Sequence, residues 1–382
     1  MKTVLFLSHT AELYGAELML LQTLSVIDRS RFLPVLVIPR AGPLEAQAKE
    51  LGLETRIIPS KWWLTGKTGL WKQPFAHLWN LRGVFRLARF LGERRIHLVF
   101  SNSAASFSGA LAAKIKGIPH IWAIHEVLGG KKPILRFIFG QRSLAKLILR
   151  LSCRVVVNSH ASEKAFCGSP KVRLVYNGIE VLPLDDSNRR SVRRALGFSE
   201  EDVVLGMVGR ISAAKGQRQL ITALGMVRED YPRVKVLLVG ESKQKNYFFG
   251  LQKLIERRKL EGRVVFTGYR KDVIPLLKAV DCLFVASKVE SFGRTIIEAL
   301  SVRTPVVAVK SGGIPEIISH GENGYLLESR EPEELKKAIC TFIREREAFD
   351  RAANRGEAMV VERFSLKNQK KLLESVLEEC FD

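Results

Sequence analysis

Two glutamates separated by seven residues, Glu290 and Glu298, are the side chains of this sequence best suited to bind a ligand. Glu290 precedes a Phe-Gly pair. Glu298 lies in an apolar run with helical spacing, where a charged side chain is rarely left without a partner. Residues 281–287, just upstream, predict a buried strand. Strand, acidic loop and helix together present polar groups and a helix N-terminus to an anion. The alternative is an exposed loop glutamate followed by a solvated helix face.

Arg210 and Lys215 form a second candidate set, five residues apart, after the first predicted strand of the C-terminal half. A guanidinium forks onto phosphate oxygens and an ammonium adds a point charge, so the pair suits a diphosphate. Gly312 and Gly313 join another predicted strand to a helix and permit close backbone approach. Two surface cations and an ordinary glycine turn are the alternatives. No Gly-x-Gly-x-x-Gly fingerprint follows the first strand of the chain, where residues 14–17 read Tyr-Gly-Ala-Glu.

Composition indicates a globular protein with an anionic partner. The 382 residues are 46% hydrophobic, which suits two domains of ordinary size. The formal net charge is +22. Residues 1–183 hold 26 Lys and Arg against 10 Asp and Glu, whereas residues 184–382 hold 35 against 29. Because most of the excess lies in the N-terminal half, we expect the anionic partner to bind there.

Five cysteines, Cys153, Cys167, Cys282, Cys340 and Cys380, are scattered without a Cys-x-x-Cys pair. This pattern predicts neither a disulfide framework nor a zinc site, and it favours a reducing cytosol. The opening apolar run is short and leads into a polar loop, so we interpret it as a buried strand rather than a signal peptide. No apolar run is long enough to predict a membrane-spanning helix.

Apolar, β-branched runs alternate with helical patterns in both halves, which predicts parallel sheets covered on both faces. The predicted strands are 4–7, 33–38, 54–58, 97–100, 120–124, 154–158, 203–208, 234–239, 264–267, 281–285, 306–309 and 325–327. The predicted helices include 16–27, 43–51, 74–91 and 103–116. The polar, proline-bearing stretch 182–188 separates domains 1–183 and 184–362, and a final helix is expected within 363–382.

Seven motifs together resemble glycosyltransferase family 4. They are Tyr-Gly-Ala-Glu at 14–17, His-Glu at 125–126, Tyr-Asn-Gly-Ile at 176–179, Gly-Arg at 209–210 with Lys-Gly at 215–216, Glu-x7-Glu at 290–298, Gly-Gly-Ile-Pro-Glu at 312–316 and Asn-Gly at 323–324. The resemblance implies a retaining glycosyltransferase with the α/β GT-B fold, in which two doubly wound Rossmann-like domains face each other across a deep cleft. Domain 1–183 with the crossover helix would bind the acceptor, and domain 184–362 the nucleotide sugar.

The resemblance also implies roles for individual residues. Arg210 and Lys215 would bind the diphosphate and stabilise the leaving group. Glu298 would bind ribose hydroxyls, Glu290 would contact sugar hydroxyls, and His125 would lie near the reacting carbon. Further donor contacts are implied for Gly15, Gly209, Ser291, Phe292 and Gly293. Tyr14 and Arg303 depart from the family pattern, because both stand where glycine is usual.

The expected mechanism is same-face substitution, with leaving-group oxygens accepting the proton of the acceptor. A covalent step through Glu290 is the weaker alternative. Since no Asp-x-Asp motif is present, we expect protein cations to replace a divalent metal, and no cofactor is predicted. A UDP-sugar is the favoured donor and GDP-mannose the second candidate. The acceptor is expected to be a glycan or a lipid-linked molecule used in the synthesis of cell-surface polysaccharide or glycolipid.

Basic and aromatic residues of the N-terminal half are candidates for the acceptor or membrane side. The basic set is Lys131, Lys132, Arg136, Arg142, Lys146 and Arg150, and the aromatic set is Trp62, Trp63 and Trp71. Basic residues recur every four positions beside an apolar stripe, a pattern typical of helices that lie on anionic bilayers. A helix packed on the domain with a solvated basic edge is the alternative, and the tryptophans can equally form core.

Other functional classes explain less of the sequence. A nucleic-acid-binding protein would account for the charge, but no recognition motif of that class is present. A nicotinamide-dependent oxidoreductase would account for two Rossmann-like domains but needs the missing glycine fingerprint. A non-catalytic nucleotide-sugar-binding protein would not need all of the charged residues above. The predicted location is the cytoplasm, peripheral to the inner face of the membrane.

Overall fold

The computed structural model describes residues 1–64, 73–128, 137, 139–181, 183 and 188–381, with only the backbone course for 73–79. The chain forms two compact units. Unit 1 comprises Met1–Gly178 and Leu366–Asp382, and unit 2 comprises Ile179–Ser365. The boundary predicted at 182–188 lies mostly outside the described residues.

Strands and helices alternate along both units. The strands are β1 (Lys2–Leu7), β2 (Phe32–Ile38), β3 (Glu54–Ile57), β4 (Leu98–Ser101), β5 (His120–Ile124), β6 (Arg154–Val157), β7 (Val172–Leu174), β8 (Val203–Val208), β9 (Val234–Val239), β10 (Val264–Gly268), β11 (Cys282–Val285), β12 (Val306–Val309) and β13 (Tyr325–Leu327). The helices are α1 (Gly15–Val26), α2 (Pro43–Glu50), α3 (Gln73–Glu93), α4 (Ser108–Lys116), α5 (Gln141–Leu151), α6 (His160–Glu163), α7 (Arg189–Ala195), α8 (Gln217–Met226), α9 (Lys245–Arg257), α10 (Ile274–Ala279), α11 (Arg294–Ser301), α12 (Ile314–Ile317), α13 (Pro332–Arg344), α14 (Arg346–Arg363) and α15 (Leu366–Glu378).

Each unit is built on one parallel sheet. Unit 1 has seven strands in the order β3-β2-β1-β4-β5-β6-β7, and unit 2 has six in the order β10-β9-β8-β11-β12-β13. All residues of the central strands β4, β5, β11 and β12 are buried, as the continuous apolar runs predicted. The strand order reverses beside β1 in unit 1 and beside β8 in unit 2. Ligands of doubly wound sheets bind at such a reversal, outside the carboxyl ends of the strands.

The sequence predictions hold for most elements. The predicted bounds of β5, β8, β9, β12 and β13 are those observed. The prediction missed β7, a three-residue edge strand in which Arg173 interrupts the apolar run. The helix predicted from residue 103 begins at Ser108. The Ser103 hydroxyl accepts a hydrogen bond from the Ala105 amide at 3.0 Å and donates to Glu126 at 2.5 Å, which favours a local turn over a helix.

The chain returns to unit 1 in α15. Leu373, Val376 and Leu377 of this helix pack in the same core as Val4 and Phe6 of β1. The helix therefore buries an apolar stripe against the first strand of the chain, although the two segments lie at opposite ends of the sequence.

Cys153 and Cys380 form a disulfide within unit 1, a pair that the scattered cysteine pattern did not predict. Their separation in sequence is 227 residues, and the packing of α15 on unit 1 brings their Cα atoms to 6.4 Å. Spacing motifs do not report a pair that only tertiary packing assembles.

Asp281, at the start of β11, is the centre of a buried charge cluster in unit 2. Its carboxylate accepts the Val204 amide at 2.7 Å and pairs with Arg189 at 2.8 Å, Arg193 at 3.2 Å and Arg346 at 2.8 Å. Burial alone would raise the pKa of Asp281, but the Val204 hydrogen bond and the arginines outweigh it and hold this pKa below its usual range. The cluster thus ties α7, β8 and α14 to the amino end of β11.

Replacing Asp281 with Ala should lower the free energy of unfolding by about 3–5 kcal/mol, because Arg193 is buried and would lose its anionic partner. Denaturant unfolding of the full chain measures this loss. Asp350→Ala is the matched control, since Asp350 is half exposed and lies 3.8 Å from Arg346; its expected cost is below about 1 kcal/mol. Equal costs for the two variants would contradict the assigned role of Asp281.

Candidate functional site

The loop between β11 and α11 carries Glu290 and is anchored by its neighbours. Phe292 is buried, and its ring meets that of Phe364 edge-on, with centroids 5.5 Å apart. Gly293 has φ +108°, a conformation that L side chains rarely adopt, and α11 starts at the next residue. The predicted strand, acidic loop and helix are therefore observed, with Glu290 partly exposed and Glu298 inside the helix.

Lys215 and Glu290 form an ion pair, with Nζ and Oε2 2.6 Å apart. Lys215 lies in the loop after β8, and the Lys288 amide donates to the Ala214 carbonyl at 2.8 Å, joining this loop to the one after β11. Gly216 is required at the junction, because a Cβ there would lie 2.4 Å from the Ala286 oxygen. Two residues 75 apart in the sequence thus meet at one point.

A third loop, after β12, completes the arrangement. The Gly313 amide donates to the Glu290 carbonyl oxygen at 2.9 Å. Gly312 has φ +56°, and a Cβ on it would lie 1.8 Å from the same oxygen. Because β8, β11 and β12 are neighbours in the sheet, their three loops converge at its carboxyl edge. The structure therefore brings together the predicted residues Gly209, Lys215, Glu290, Ser291, Phe292 and Gly293.

Arg210 lies exposed in the loop after β8. This loop is supported by Gln217, a residue that the sequence analysis did not identify. Buried Gln217 donates to the Arg210 carbonyl at 3.0 Å and accepts the Ser212 amide at 3.3 Å. Gly209 approaches Gly240 so closely that a Cβ on Gly240 would lie 2.1 Å from the Gly209 oxygen. The sequence alone does not show whether a polar residue at the start of a helix supports a loop, as Gln217 does, or is exposed to solvent.

Glu298 is buried on α11 and pairs with Arg294, whose Nε lies 2.8 Å from Oε1. Burial raises the pKa of Glu298, and the positive charge of Arg294 acts in the opposite direction. Arg294 was absent from the sequence-based site, although its spacing of four residues on one helix is the usual signal for such a pair. The carboxyl group is thus held within the helix rather than on a solvated face.

In unit 1, His125 follows β5 and is fixed by Asn102, which follows β4. His125 Nε2 lies 2.8 Å from Asn102 Oδ1, and Asn102 Nδ2 donates to the Ala16 carbonyl at 3.1 Å. Since that second bond assigns the amide orientation, Nε2 of His125 carries the proton and Nδ1 its lone pair. Burial lowers the pKa of His125 to about 4, so the ring is neutral at pH 7. Gly15 begins α1 with open space around it.

A cavity of about 30 Å³ lies beside His125 in unit 1, large enough for one water molecule. Its polar lining includes Asn102, Asn158, Asn177 and Gln369. Gln369 of α15 accepts the Gly178 amide at 3.0 Å, so the Asn-Gly pair at 177–178 is held by the returning helix. This motif therefore has a structural role that the sequence did not reveal.

The aromatic candidates have different environments. Trp63 is buried and stacks with Trp122 at 6.1 Å between ring centroids, so packing is its role. Trp62 is 44% exposed; its indole N–H donates to the His9 carbonyl at 2.8 Å, and its ring contacts the His9 ring. Trp71, Lys131, Lys132 and Arg136 lie outside the described residues.

Helix α5 is amphipathic, but its apolar stripe faces the protein. Leu144, Ala145 and Ile148 are buried in the unit 1 core, whereas Arg142, Lys146 and Arg150 are exposed. The stripe is therefore not available to enter a bilayer, whereas a role of the exposed basic edge on the acceptor or membrane side stays a prediction. A helix packed on a protein core and a helix lying on a bilayer show the same amphipathic pattern, because each needs one apolar face.

None of the helices in the described part of the chain is long and apolar enough to span a membrane. Within the same ranges, no group of three or more His, Cys, Asp or Glu side chains is arranged to hold a metal ion.

Comparison with known proteins identifies relatives of both halves. Residues 188–359 match the family model "Glycosyl transferases group 1", and residues 15–181 match "Glycosyltransferase Family 4". The crystal structure of Anabaena HepE in complex with UDP and glucose superposes with a TM-score of 0.84 at 26% identity, over 99% of this chain and 100% of that chain.

Curated sequences show similarity over shorter stretches. The lipopolysaccharide core biosynthesis glycosyltransferase LpsE of Rhizobium meliloti is 32% identical over 167 residues, 44% of this chain and 47% of the relative. N-acetyl-alpha-D-glucosaminyl L-malate synthase of Bacillus anthracis is 26% identical over 193 residues, 50% of this chain and 50% of the relative. The matches span about half the length of these two relatives.

Gly312→Ala should destabilise unit 2 by about 3 kcal/mol, because the new methyl group would displace the Glu290 carbonyl and break its bond to Gly313. Thermal or denaturant unfolding provides the measurement. Gly321→Ala is the matched control: Gly321 also has positive φ, at +78°, but no atom lies within 4 Å of the position that its Cβ would take, so only about 1 kcal/mol of backbone strain is expected. Equal losses of unfolding free energy in Gly312→Ala and Gly321→Ala would contradict the close approach of Gly312 to the Glu290 carbonyl.

Proposed function

Since this chain belongs to the group 1 and family 4 glycosyltransferases, we propose that it transfers a sugar from a UDP-sugar to a glycan or lipid-linked acceptor with retention of configuration. Its two parallel-sheet Rossmann-like units have the GT-B fold, as the sequence predicted. The observation that carries the proposal is the convergence of Lys215, Glu290 and the Gly312–Gly313 turn at one edge of the unit 2 sheet. UDP as the donor nucleotide is supported by its presence in the HepE complex.

Arg210 and Lys215 bind the diphosphate in this proposal. Lys215 already holds the Glu290 carboxylate, so it occupies a position in which an anion is stabilised. A diphosphate carries more negative charge than one carboxylate and competes for the ammonium group. Glu290, released in part from Lys215, then accepts hydrogen bonds from sugar hydroxyls. The ion pair thus keeps both side chains oriented before the donor arrives.

Glu298 binds the ribose hydroxyls of the donor. An ionised carboxylate accepts two such hydrogen bonds. Arg294 opposes the effect of burial on Glu298 and favours the ionised form. The helix N-terminus that follows Gly293 adds backbone N–H groups beside the diphosphate.

The bond between the sugar and the diphosphate breaks as the acceptor oxygen attacks from the same face. A leaving phosphate oxygen takes the proton of the acceptor, and Arg210 and Lys215 stabilise the developing charge. Glu290 keeps part of its contact with Lys215 when the donor is bound, which lowers its nucleophilicity and favours same-face substitution over a covalent intermediate. The two cations take the place of a divalent metal ion. His125, neutral and fixed by Asn102, offers a polar edge near the reacting carbon.

The acceptor or its membrane is anionic in this proposal, and α3 supplies the exposed apolar side chains that the buried stripe of α5 does not. Leu81 and Phe85 are 42% and 64% exposed on α3, and Arg82, Arg86 and Arg89 are exposed along the same helix. Exposed apolar side chains flanked by arginines suit the surface of an anionic bilayer. The synthesis of cell-surface glycan is supported by the similarity to LpsE. The cytoplasmic location stays a prediction, because the Cys153–Cys380 disulfide removes the cysteine argument for it.

Calorimetric titration of UDP and GDP, with and without a chelator, tests the donor site. UDP should bind more tightly than GDP, and a chelator should not change its affinity. Glu298→Ala should weaken UDP binding by about 1–3 kcal/mol, as expected for lost charge-assisted hydrogen bonds. Glu347→Ala, at a side chain that is 92% exposed on α14, is the control and should bind UDP as the wild type does. A folded protein that binds neither nucleotide would sink the donor assignment.

Sedimentation with liposomes tests the α3 surface. Arg82→Gln combined with Arg86→Gln should reduce binding to liposomes containing anionic lipid by about tenfold or more, at about 1 kcal/mol per arginine. Lys253→Gln combined with Arg257→Gln removes the same charge from exposed positions of α9 in unit 2 and should have little effect. If both double variants lose binding equally, only overall charge matters and α3 is not the contact surface.

A further inference from the structure

Glu17, the last residue of the Tyr-Gly-Ala-Glu motif, is a buried acid to which the proposed donor chemistry gives no role. Its side chain is fully buried on the first turn of α1. Oε1 lies 3.3 Å from the Ser8 hydroxyl and 3.2 Å from His9 Nδ1. Within the part of the chain that the structure describes, Oε2 has no hydrogen-bond partner, and His9 is the one basic side chain within ion-pair distance.

This environment favours a neutral acid. A buried carboxylate with an unpartnered oxygen loses its hydration without replacement. Burial accordingly raises the pKa of Glu17 to about 8, and the nearby acid Glu126 acts in the same direction. Burial, followed by the influence of His125, lowers the pKa of His9 to about 4. At pH 7 the pair therefore consists of a protonated carboxyl group and a neutral imidazole.

A hydrogen bond from the acid to the imidazole can join this neutral pair. The carboxylic acid has a single O–H donor. Ser8 uses its hydroxyl as a donor, to the Thr10 carbonyl at 2.9 Å and to Glu17. His9 Nδ1 is buried and has no hydrogen-bond partner among the described residues, and the nearest acid oxygen, Glu17 Oε1, lies 3.2 Å from it. With the acid proton on Oε1, Glu17 donates to His9 Nδ1, and the proton of the neutral ring then resides on Nε2.

We propose that Glu17 is a positioning residue that holds His9 as its Nε2–H tautomer, so that His9 donates a hydrogen bond to an oxygen atom of the bound sugar acceptor. This inference rests on the proposed function, in which unit 1 binds the acceptor. Trp62 also holds His9 in place. Its indole N–H donates to the His9 carbonyl at 2.8 Å, and its ring lies against the His9 ring with 5.1 Å between centroids. The half-exposed indole beside an N–H donor suits a carbohydrate, which presents both apolar faces and hydroxyl oxygens.

The location of His9 agrees with this role. His9, Asn102 and His125 follow β1, β4 and β5, three neighbouring strands of the unit 1 sheet. All three side chains thus belong to the carboxyl edge of that sheet, where a doubly wound domain binds its ligand.

The proposal has a pH signature with a definite sign. Below about pH 8 Glu17 is protonated and donates to His9; as the pH rises through about 8 it loses this proton, and the donor disappears. Acceptor binding should therefore weaken on the alkaline side. In Glu17→Gln the amide N–H donates to Nδ1 at every pH, so the alkaline loss that belongs to Glu17 should vanish. If Glu17 served only packing, the Glu17→Gln variant would show the same loss of acceptor binding at alkaline pH as the wild type.

Nitrogen-15 spectra of the histidine side chains test the tautomer without any need for catalysis. In the full-length wild type at pH 7, His9 should show a protonated Nε2 and an unprotonated Nδ1, and Glu17→Gln should retain this pattern. Glu17→Leu has a side chain of similar size but lacks the hydrogen-bond donor, so His9 should become a mixture of tautomers. A wild-type His9 protonated on Nδ1 would overturn the proposal.

Steady-state transfer from UDP-sugar provides the second measurement. Glu17→Leu should raise the KM for the acceptor about five- to tenfold, as expected for one lost hydrogen bond, and leave the KM for the donor unchanged. Glu17→Gln should restore the acceptor KM and flatten the alkaline limb of kcat/KM. Glu50→Gln, at an exposed position of α2, is the control, and its kcat/KM should fall at alkaline pH as that of the wild type does.

The outcomes separate this inference from the proposed function. Transfer that proceeds with the same alkaline limb in wild type and Glu17→Gln would refute the role of Glu17 alone. Absence of transfer and of UDP binding in every folded variant would refute the glycosyltransferase proposal, and the histidine spectra would still decide whether Glu17 fixes the tautomer of His9.

Discussion

The carbonyl oxygen of Glu290 is the point on which the unit 2 site depends. It accepts the Gly313 amide at 2.9 Å, in a space that a Cβ on Gly312 would occupy. The side chain of the same residue meets Lys215. One residue thus ties the loop after β11 to its neighbours on both sides, by backbone towards β12 and by charge towards β8. Polar groups from three strands acquire fixed positions before any ligand binds, which reduces the reorganisation needed during reaction.

Charge is distributed unequally between the two ends of the unit 2 sheet. At the amino end of β11, Asp281 is surrounded by three arginines and is held ionised, so its charge serves stability. At the carboxyl end, Lys215 and Glu290 are partly exposed and each retains capacity for another partner. Burial and multiple partners separate a structural charge from one that can exchange its partner for a ligand. Unit 1 shows a third situation, in which burial without a cation keeps Glu17 neutral.

The sheets were predictable from sequence because parallel strands are buried on both faces and leave continuous apolar runs. The bounds of β8, β9 and β12 follow directly from such runs. The loops carrying Lys215 and Glu290 were also predictable, since they occupy strand ends. What could not be predicted depends on contacts between distant segments: the Asn102–His125 bond, the support of Arg210 by Gln217, and the Cys153–Cys380 pair. The stripe of α5 was ambiguous for a different reason, because protein cores and bilayers select the same spacing.

The return of the chain in α15 has a consequence for how the protein is made. Unit 2 is continuous in sequence, whereas unit 1 is interrupted by it and includes Leu366–Asp382. Gln369, Leu373 and Cys380 supply a backbone hydrogen bond, core packing and the disulfide that unit 1 needs. During synthesis from the N-terminus, unit 2 can therefore complete its core while unit 1 still lacks its last helix. The N-terminal half of this polypeptide is therefore the later of the two to be finished, because its last helix follows all of unit 2 in the sequence.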